Sequence, residues 1–226
     1  MLIVGISGMP GVGKTALALN WAHKVKDRFP DGNLYADLRS YYSHGPLHPI
    51  DVLGTFLQAI GVQTDRIPDN IDERMSLFHN LVARRRMLIV LDDAASFDQV
   101  RPFLSDSPQS VVVVTSRRPL DLPPGAQEIA LDTLSVDEAT ILLRTIAGAE
   151  RVDAEPQAAI ELVRSCGCLP LAIHVAEVLP STPTCARPSD AGRCGRRFRF
   201  VIGRCHGVQP IAQALHLVRC VRVVGD

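Results

Sequence analysis

Aromatic residues are scarce: one Trp, three Tyr and seven Phe make up 5% of the 226 residues. Single-stranded nucleic acid is gripped by aromatic side chains interleaved with basic ones, and no stretch of this sequence has that interleaving or a helix-turn-helix pattern. Charge of one sign is lacking too, because 24 Lys and Arg balance 24 Asp and Glu. The chain as a whole therefore has no bulk field to attract a polyanion. No apolar run approaches the roughly 20 residues that span a bilayer. The most apolar helix candidate, Leu169 to Leu179, is interrupted by His174 and Glu177. No basic segment precedes an apolar one at the N-terminus, so a secretory signal is not expected and the chain reads as cytoplasmic. No Cys pair has the C-x-x-C spacing, which leaves zinc without its usual ligand pattern. In a reducing cytoplasm the six cysteines are expected as thiols.

What remains is enough for one α/β domain with a small appendage: 46% of the residues are hydrophobic and the length permits a well-buried core. The zero net charge hides an asymmetry. Residues 1–179 hold 16 Lys and Arg against 22 Asp and Glu, whereas residues 180–226 hold eight Arg, no Lys and two Asp. Cysteine follows the same divide, with Cys166 and Cys168 before it and Cys185, Cys194, Cys205 and Cys220 after it.

Apolar runs alternate with helical patterns up to residue 131, the signature of a parallel sheet flanked by helices. Strands are expected at Leu2–Ile6, Asn33–Asp37, Met87–Leu91, Val111–Thr115 and Glu128–Leu131. Helices are expected near 14–27, 49–60, 70–85 and 96–104, the last opened by a Ser96/Gln99 capping box. Arg84-Arg85-Arg86 reads as the cationic, solvated end of the 70–85 helix. Beyond residue 132 the pattern is helical, near 135–147, 155–165 and 170–179, with a second capping box at Ser135/Glu138. The expected organisation is a phosphate-loop nucleotide-binding domain over 1–132, a helical lid over 133–179 and a poorly ordered Arg/Cys-rich tail over 180–226. Within the tail only Ile211–Val224 is patterned. His23, His79 and His174 read as packing or surface residues, and His44 and His48 carry no ligand spacing.

The chemistry is concentrated in Gly8-Met9-Pro10-Gly11-Val12-Gly13-Lys14-Thr15, a complete G-x-x-x-x-G-K-[ST] loop between an apolar run and a helical stretch beginning at Ala16. Its glycines allow successive backbone N–H groups to face a polyphosphate, and the helix that follows adds its positive end. Lys14 suits the β- and γ-phosphates and the Thr15 hydroxyl suits Mg²⁺. Met87–Leu91 leads into Asp92-Asp93. Asp92 is the expected magnesium-shell carboxylate, and Asp93 is placed to orient or deprotonate an attacking water, or to cap the following turn. Val111–Thr115 leads into Ser116-Arg117-Arg118. Arg117 at a strand's carboxyl end can contact a γ-phosphate, while Arg118, before Pro119, reads as solvated.

Cys166-Gly167-Cys168-Leu169-Pro170-Leu171-Ala172, together with the phosphate loop, Leu91-Asp92-Asp93 and Thr115-Ser116-Arg117, resembles the NB-ARC signalling ATPases of the STAND class. The segment from Phe29 to Arg39 is similar to the branch found in bacterial regulators of antibiotic biosynthesis. The resemblance covers about residues 2–179. It implies a switch module of a signalling or transcriptional regulator, in which ADP is held between the phosphate-loop domain and the helical subdomain, with Pro170 near the adenine. Exchange for ATP permits self-association, and slow hydrolysis resets the closed form. Without the resemblance, Pro170 reads as a helix-opening proline. Where the family has a glycine ahead of Leu-Pro-Leu, this sequence has Cys168. Family members usually carry a Gly-Arg-Glu motif upstream and a His-Asp motif in a winged helix, and neither motif occurs in these residues. The tail is expected to be an out-of-frame or non-homologous terminus of a truncated gene. Two other readings are a small-molecule phosphotransferase and an ADP-binding module without turnover.

Overall fold

The computed structural model describes residues 1–38 and 47–178. His44, the four cysteines after residue 180 and the patterned stretch Ile211–Val224 lie outside the described residues.

Among the described residues two compact units are present, the first built from Met1–Pro10 and Lys14–Leu131, the second from Gly11–Gly13 and residues 132–178. In the first, five strands form one sheet: β1 (Leu2–Gly8), β2 (Asn33–Asp37), β3 (Leu88–Ala94), β4 (Val111–Ser116) and β5 (Gln127–Leu131). Their order is β2-β3-β4-β1-β5, and every pairing is parallel. Helices α1 (Lys14–Val25), α2 (Pro49–Ala59), α3 (Ile71–Val82) and the short α4 (Phe97–Val100) accompany it. The α/β class with a parallel sheet is the one the alternating pattern requires.

Strand alternation divides the core in two. Ile89, Leu91, Val112 and Val114 pack on one face against Val52, Leu53 and Phe56 of α2 and Phe78 and Val82 of α3. There Phe56, Phe78 and Phe103 form a cluster with ring centroids 5.6–6.5 Å apart. Ile6, Leu88, Val90 and Val113 pack on the opposite face with Ala18 of α1 and Phe29. Because β3 and β4 are covered on both faces, they read as unbroken apolar runs.

Several boundaries differ from the sequence expectation, each for a local reason. The helix expected over 96–104 is α4 followed by a 3-10 turn at Arg101–Phe103, because Pro102 has no N–H to continue the α-helical ladder. The Ser96 side chain makes no cap bond. Gln99 is buried instead: its Oε1 accepts from the Ala95 N–H at 3.0 Å and its Nε2 donates to the Leu38 carbonyl at 3.2 Å. The expected capping box there is not formed. Helix α3 stops at Val82, so Arg84-Arg85-Arg86 belongs to the following turn rather than to the helix. The Arg85 carbonyl in that turn accepts from both Ser107 and Ser110 hydroxyls.

The second unit consists of α5 (Val136–Ala147), α6 (Ala149–Ala154), α7 (Pro156–Ser165) and α8 (Pro170–Val178), packed around Ala139, Leu143, Val152, Ala159, Val163, Cys166 and Ile173. The Ser135/Glu138 capping box is present in both directions, and the bonds from Ser135 hold the exposed Glu138 carboxyl below its ordinary range. Helix α6 was not expected. It is six residues long and follows α5 directly, the chain turning at Gly148 with φ 91°.

The α7–α8 connection shows how a cysteine replaces the family's glycine. Cys168 N–H donates to the Val163 carbonyl and Gly167 N–H to the Arg164 carbonyl, each at 2.9 Å. This is the paired bond pattern that ends many helices at a left-handed residue. Here both Gly167 (φ 63°) and Cys168 (φ 53°) are left-handed. Cys166 and Cys168 are free thiols, and burial pushes the Cys166 thiol up to about 11. A left-handed conformation costs an L-residue about 1–2 kcal/mol. Part of that is offset at Cys168 by packing against the second unit's core. Cys168→Gly is therefore expected to raise the unfolding free energy by about 0.5–1 kcal/mol. Cys168→Val, β-branched at positive φ, should lower it. Denaturant unfolding of the three chains checks the order, and a glycine variant less stable than the parent would mean that side-chain packing outweighs backbone strain.

Candidate functional site

The phosphate loop joins β1 to α1. Gly11 and Gly13 have φ of 83° and 104°, values that only glycine adopts readily. Helix α1 has no acidic residue in its first turn, so its positive end is not neutralised by its own side chains. Lys14, the first residue of α1, is 8% exposed. Its Nζ folds back to donate to the Gly8 carbonyl at 2.8 Å and the Met9 carbonyl at 3.0 Å. Burial lowers its pKa, with Asp93 opposing that shift, Arg117 adding to it and Asp92 opposing it again.

On the face of the sheet that carries α1, β3 and β4 are apolar until their carboxyl ends and then become polar. Leu88 and Val90 are followed in alternation by Asp92, and Val113 by Thr115. Asp92 is 7% exposed and Thr115 1%. A carboxylate so buried needs donors, and three hydroxyls supply them. Thr15 Oγ1 donates to Oδ1 and Oδ2 of Asp92, at 2.9 and 3.0 Å. Thr115 donates to Oδ1, and Tyr35 donates to Oδ2 at 3.3 Å.

Both aspartates lie within β3, which runs three residues further than Leu91. The strand carries a bulge there. Leu91 pairs with Val114 but Ala94 with Ser116, so β3 holds one residue more than β4 over this interval. Regular alternation from Leu91 would send Asp93 into the α2/α3 core. The extra residue gives that position to Ala94 and sets Asp93 apart at φ 55°. Its N–H donates to the Thr115 hydroxyl at 3.0 Å, and its Oδ1 accepts from Arg117 Nε at 3.3 Å.

Gly8, Lys14, Thr15, Asp92, Asp93 and Arg117 are thus brought together by direct bonds. Of the other expected contacts, Pro10 and Ala16 are exposed and Val12 is buried. Arg118 is exposed, as its place before Pro119 suggests. Pro170 belongs to the second unit, where it is the first residue of α8. Sequence reasoning missed the hydroxyls of Tyr35 and Thr115. They become legible only once the strand order sets β2 and β4 beside β3.

The donor set fits magnesium. A hydroxyl and a carboxylate meeting at 2.9–3.0 Å are hard oxygens, and Mg²⁺ takes one or two such protein ligands alongside phosphate and water. Among the described residues, no three His, Cys, Asp or Glu converge as an all-protein metal cage.

An all-parallel sheet in the order 2-3-4-1-5, with a glycine loop between the first strand and first helix and a carboxylate at the end of β3, one strand removed from β1, defines the phosphate-loop NTPase class. Solved structures agree on the fold. A STAND protein with a tetratricopeptide-repeat sensor from Pyrococcus horikoshii aligns with a TM-score of 0.54 at 22% identity, over 76% of this chain and 26% of that one. The Thermotoga maritima RuvB branch-migration motor aligns with a TM-score of 0.52 at 14% identity, over 89% of this chain and 62% of that one. The NB-ARC domain model matches residues 1–153, and the chain belongs to that family. The regulatory protein AfsR of Streptomyces griseus is 45% identical over 177 residues, and AfsR of Streptomyces coelicolor is 43% identical over 177. The tm-2 protein of Solanum lycopersicum, named for susceptibility to ToMV, is 28% identical over 121 residues, 51% of this chain and 13% of that protein. The match covers 78% of this chain but 18% of each AfsR, so the chain spans about a fifth of those relatives. It is a nucleotide-binding module of the kind found in such regulators.

Burial raises the Asp93 pKa above the ordinary carboxylate value. The Arg117 charge and hydrogen bond pull it back, Asp92 pushes it up, and Lys14 pulls it down. The folded protein therefore holds this proton more tightly than the unfolded chain. Asp93's contribution to stability is complete below its unfolded value near 3.8 and is lost as pH rises through the raised folded value. Asn imitates the protonated form and tolerates positive φ. Asp93→Asn is expected to be more stable than the parent at pH 7, with the gap closing toward pH 3. Unfolding measured at both pH values checks this, and a less stable variant at pH 7 would mean that the Arg117 ion pair outweighs burial.

Proposed function

We propose that this module is the nucleotide-operated switch of a bacterial-type signalling or transcriptional regulator, holding ADP or Mg·ATP and hydrolysing ATP slowly. The observation that carries the reading is the joining of Lys14, the Thr15–Asp92 pair and the Asp93–Arg117 ion pair at one end of the sheet. Backbone N–H groups of Gly11, Val12 and Gly13, with those opening α1 at Thr15 and Ala16, face the phosphates, and Gly8 and Pro10 shape the entry to the loop. Lys14 exchanges two carbonyl acceptors for phosphate oxygens. Thr15 and Asp92 hold Mg²⁺, which when bound neutralises charge on the β- and γ-oxygens. Arg117 is the γ-phosphate sensor, and Pro170 is the adenine-side contact.

Slow turnover follows from Asp93. As the residue that would orient or deprotonate the attacking water, it is engaged by Arg117, whose hydrogen bond occupies one of its carboxylate oxygens. The same pair supports a second reading, a module that binds ADP without turnover. Among the described residues no helix is long and apolar enough to cross a membrane. The proposed role is that of a cytoplasmic module, with self-association in the ATP state and no direct contact with nucleic acid.

Thermal unfolding of the chain with and without Mg·ADP and Mg·ATP tests the reading. Ligand at a hundredfold over Kd should add about 2.7 kcal/mol, a rise of about 5–10 °C for a chain of this size. The rise should vanish in Lys14→Ala. A folded chain that shows no rise with either nucleotide would sink the proposal. Phosphate release from ATP separates the two readings.

A further inference from the structure

Tyr35 and Thr115 stand on β2 and β4, the two strands that flank β3. Each donates its hydroxyl to a different oxygen of Asp92, Thr115 to Oδ1 and Tyr35 to Oδ2. Rotation of the carboxylate about its last bond would break both bonds. The third donor, Thr15, shares one hydroxyl hydrogen between the two oxygens at 2.9 and 3.0 Å, so it fixes neither. A pair of bonds from the strands, one to each oxygen, and a shared, exchangeable bond from the start of α1 therefore divide the carboxylate's acceptor sites.

We propose that Tyr35, with Thr115 opposite it, is a positioning residue for magnesium: the two hydroxyls clamp Asp92 so that its remaining lone pairs face Thr15. This deepens the nucleotide-switch reading and rests on it. The clamp leaves Thr15 as the one donor that must leave Asp92 when a cation arrives between them. It also removes the need to order the carboxylate at the moment of binding. Hydroxyl donors serve here where lysine or arginine would not, because a cation at either strand would compete with the metal for the same carboxylate. Thr115 has a second task, since its oxygen accepts the Asp93 N–H at 3.0 Å. Losing that hydroxyl would leave a buried N–H unpaired and disturb the bulge. Tyr35→Phe keeps the ring that packs against the α1 face of the sheet.

Outer partners of metal ligands typically contribute 10–100-fold to metal affinity. The experiment compares the parent chain, Tyr35→Phe, Thr115→Val and Thr115→Ser by calorimetric titration of ADP and ATP, first in EDTA and then across a Mg²⁺ series. For Tyr35→Phe the expected result is nucleotide affinity in EDTA equal to the parent's, with the Mg²⁺ needed for half of the affinity gain raised about 10-fold. Thr115→Val should show the same shift together with lower thermal stability, and Thr115→Ser should restore the parent's Mg²⁺ dependence. A purely structural hydroxyl would lower stability and both affinities together, or change nothing. Parent-like Mg²⁺ dependence in Tyr35→Phe, with nucleotide still bound, overturns the clamp and leaves the switch reading standing. Absence of nucleotide binding in the parent chain overturns both.

Discussion

A carboxylate buried at the carboxyl end of a central strand is the constraint around which this unit is arranged. Asp92 sits where an apolar alternation would place another valine, at 7% exposure, and an unpaired charge there would be prohibitive. Among the described residues no cation is hydrogen-bonded to it. Three hydroxyls are, from β2, β4 and the start of α1. The identities of Tyr35, Thr115 and Thr15 therefore follow from one buried charge. That charge also ties the phosphate loop to the sheet through a bond a divalent cation can replace.

The second aspartate would undo this arrangement if β3 were regular. Two adjacent carboxylates on a strand point to opposite faces, which would drive Asp93 among Phe56, Leu91 and Val114. The bulge resolves the conflict by inserting one residue, giving the core position to Ala94 and holding Asp93 at positive φ beside Arg117. Backbone irregularity here serves electrostatics. The Thr115 hydroxyl secures it from both sides, donating to Asp92 and accepting from the Asp93 backbone.

This explains which features were legible in the sequence. The strands were, because β3 and β4 are buried on both faces and leave unbroken apolar runs. The phosphate loop was, because its glycines and Lys14 have few substitutes. So was the Ser135 box, whose two partners are three residues apart. The bulge was not legible, since nothing local separates Leu-Asp-Asp in a regular strand from Leu-Asp-Asp in a bulged one. The difference lies in which core Ala94 joins. Gln99 misled for a similar reason: its spacing from Ser96 suits a cap, but its burial beside Leu38 redirects the amide to Leu38 and Ala95. Pro102 did carry a readable signal, and its missing N–H is what divides the fourth helix. Tyr35 and Thr115 are legible only once strand order is known, because their partner lies 57 and 23 residues away.

The ion pair gives the proposed switch a physical basis. Lys14, Arg117, Asp92 and Asp93 carry two charges of each sign, so the protein's own site is near neutral before a nucleotide adds negative charge. Arg117 is the cation whose partner is exchangeable: it holds Asp93, and a γ-phosphate at the same end of the sheet is a competing anion. Arg117 is also the strongest influence pulling the Asp93 pKa down against burial. If the phosphate draws the guanidinium away, that influence weakens and the Asp93 pKa rises further, toward the range in which a carboxylate is an effective base. The proposed sensing and hydrolysis would then be coupled through one residue. On the proposed reading, ADP would leave Arg117 on Asp93, whereas the γ-phosphate of ATP would compete for it. A switch built this way would be quiet in its resting form, because the group proposed to detect the third phosphate also holds the group proposed to act on it.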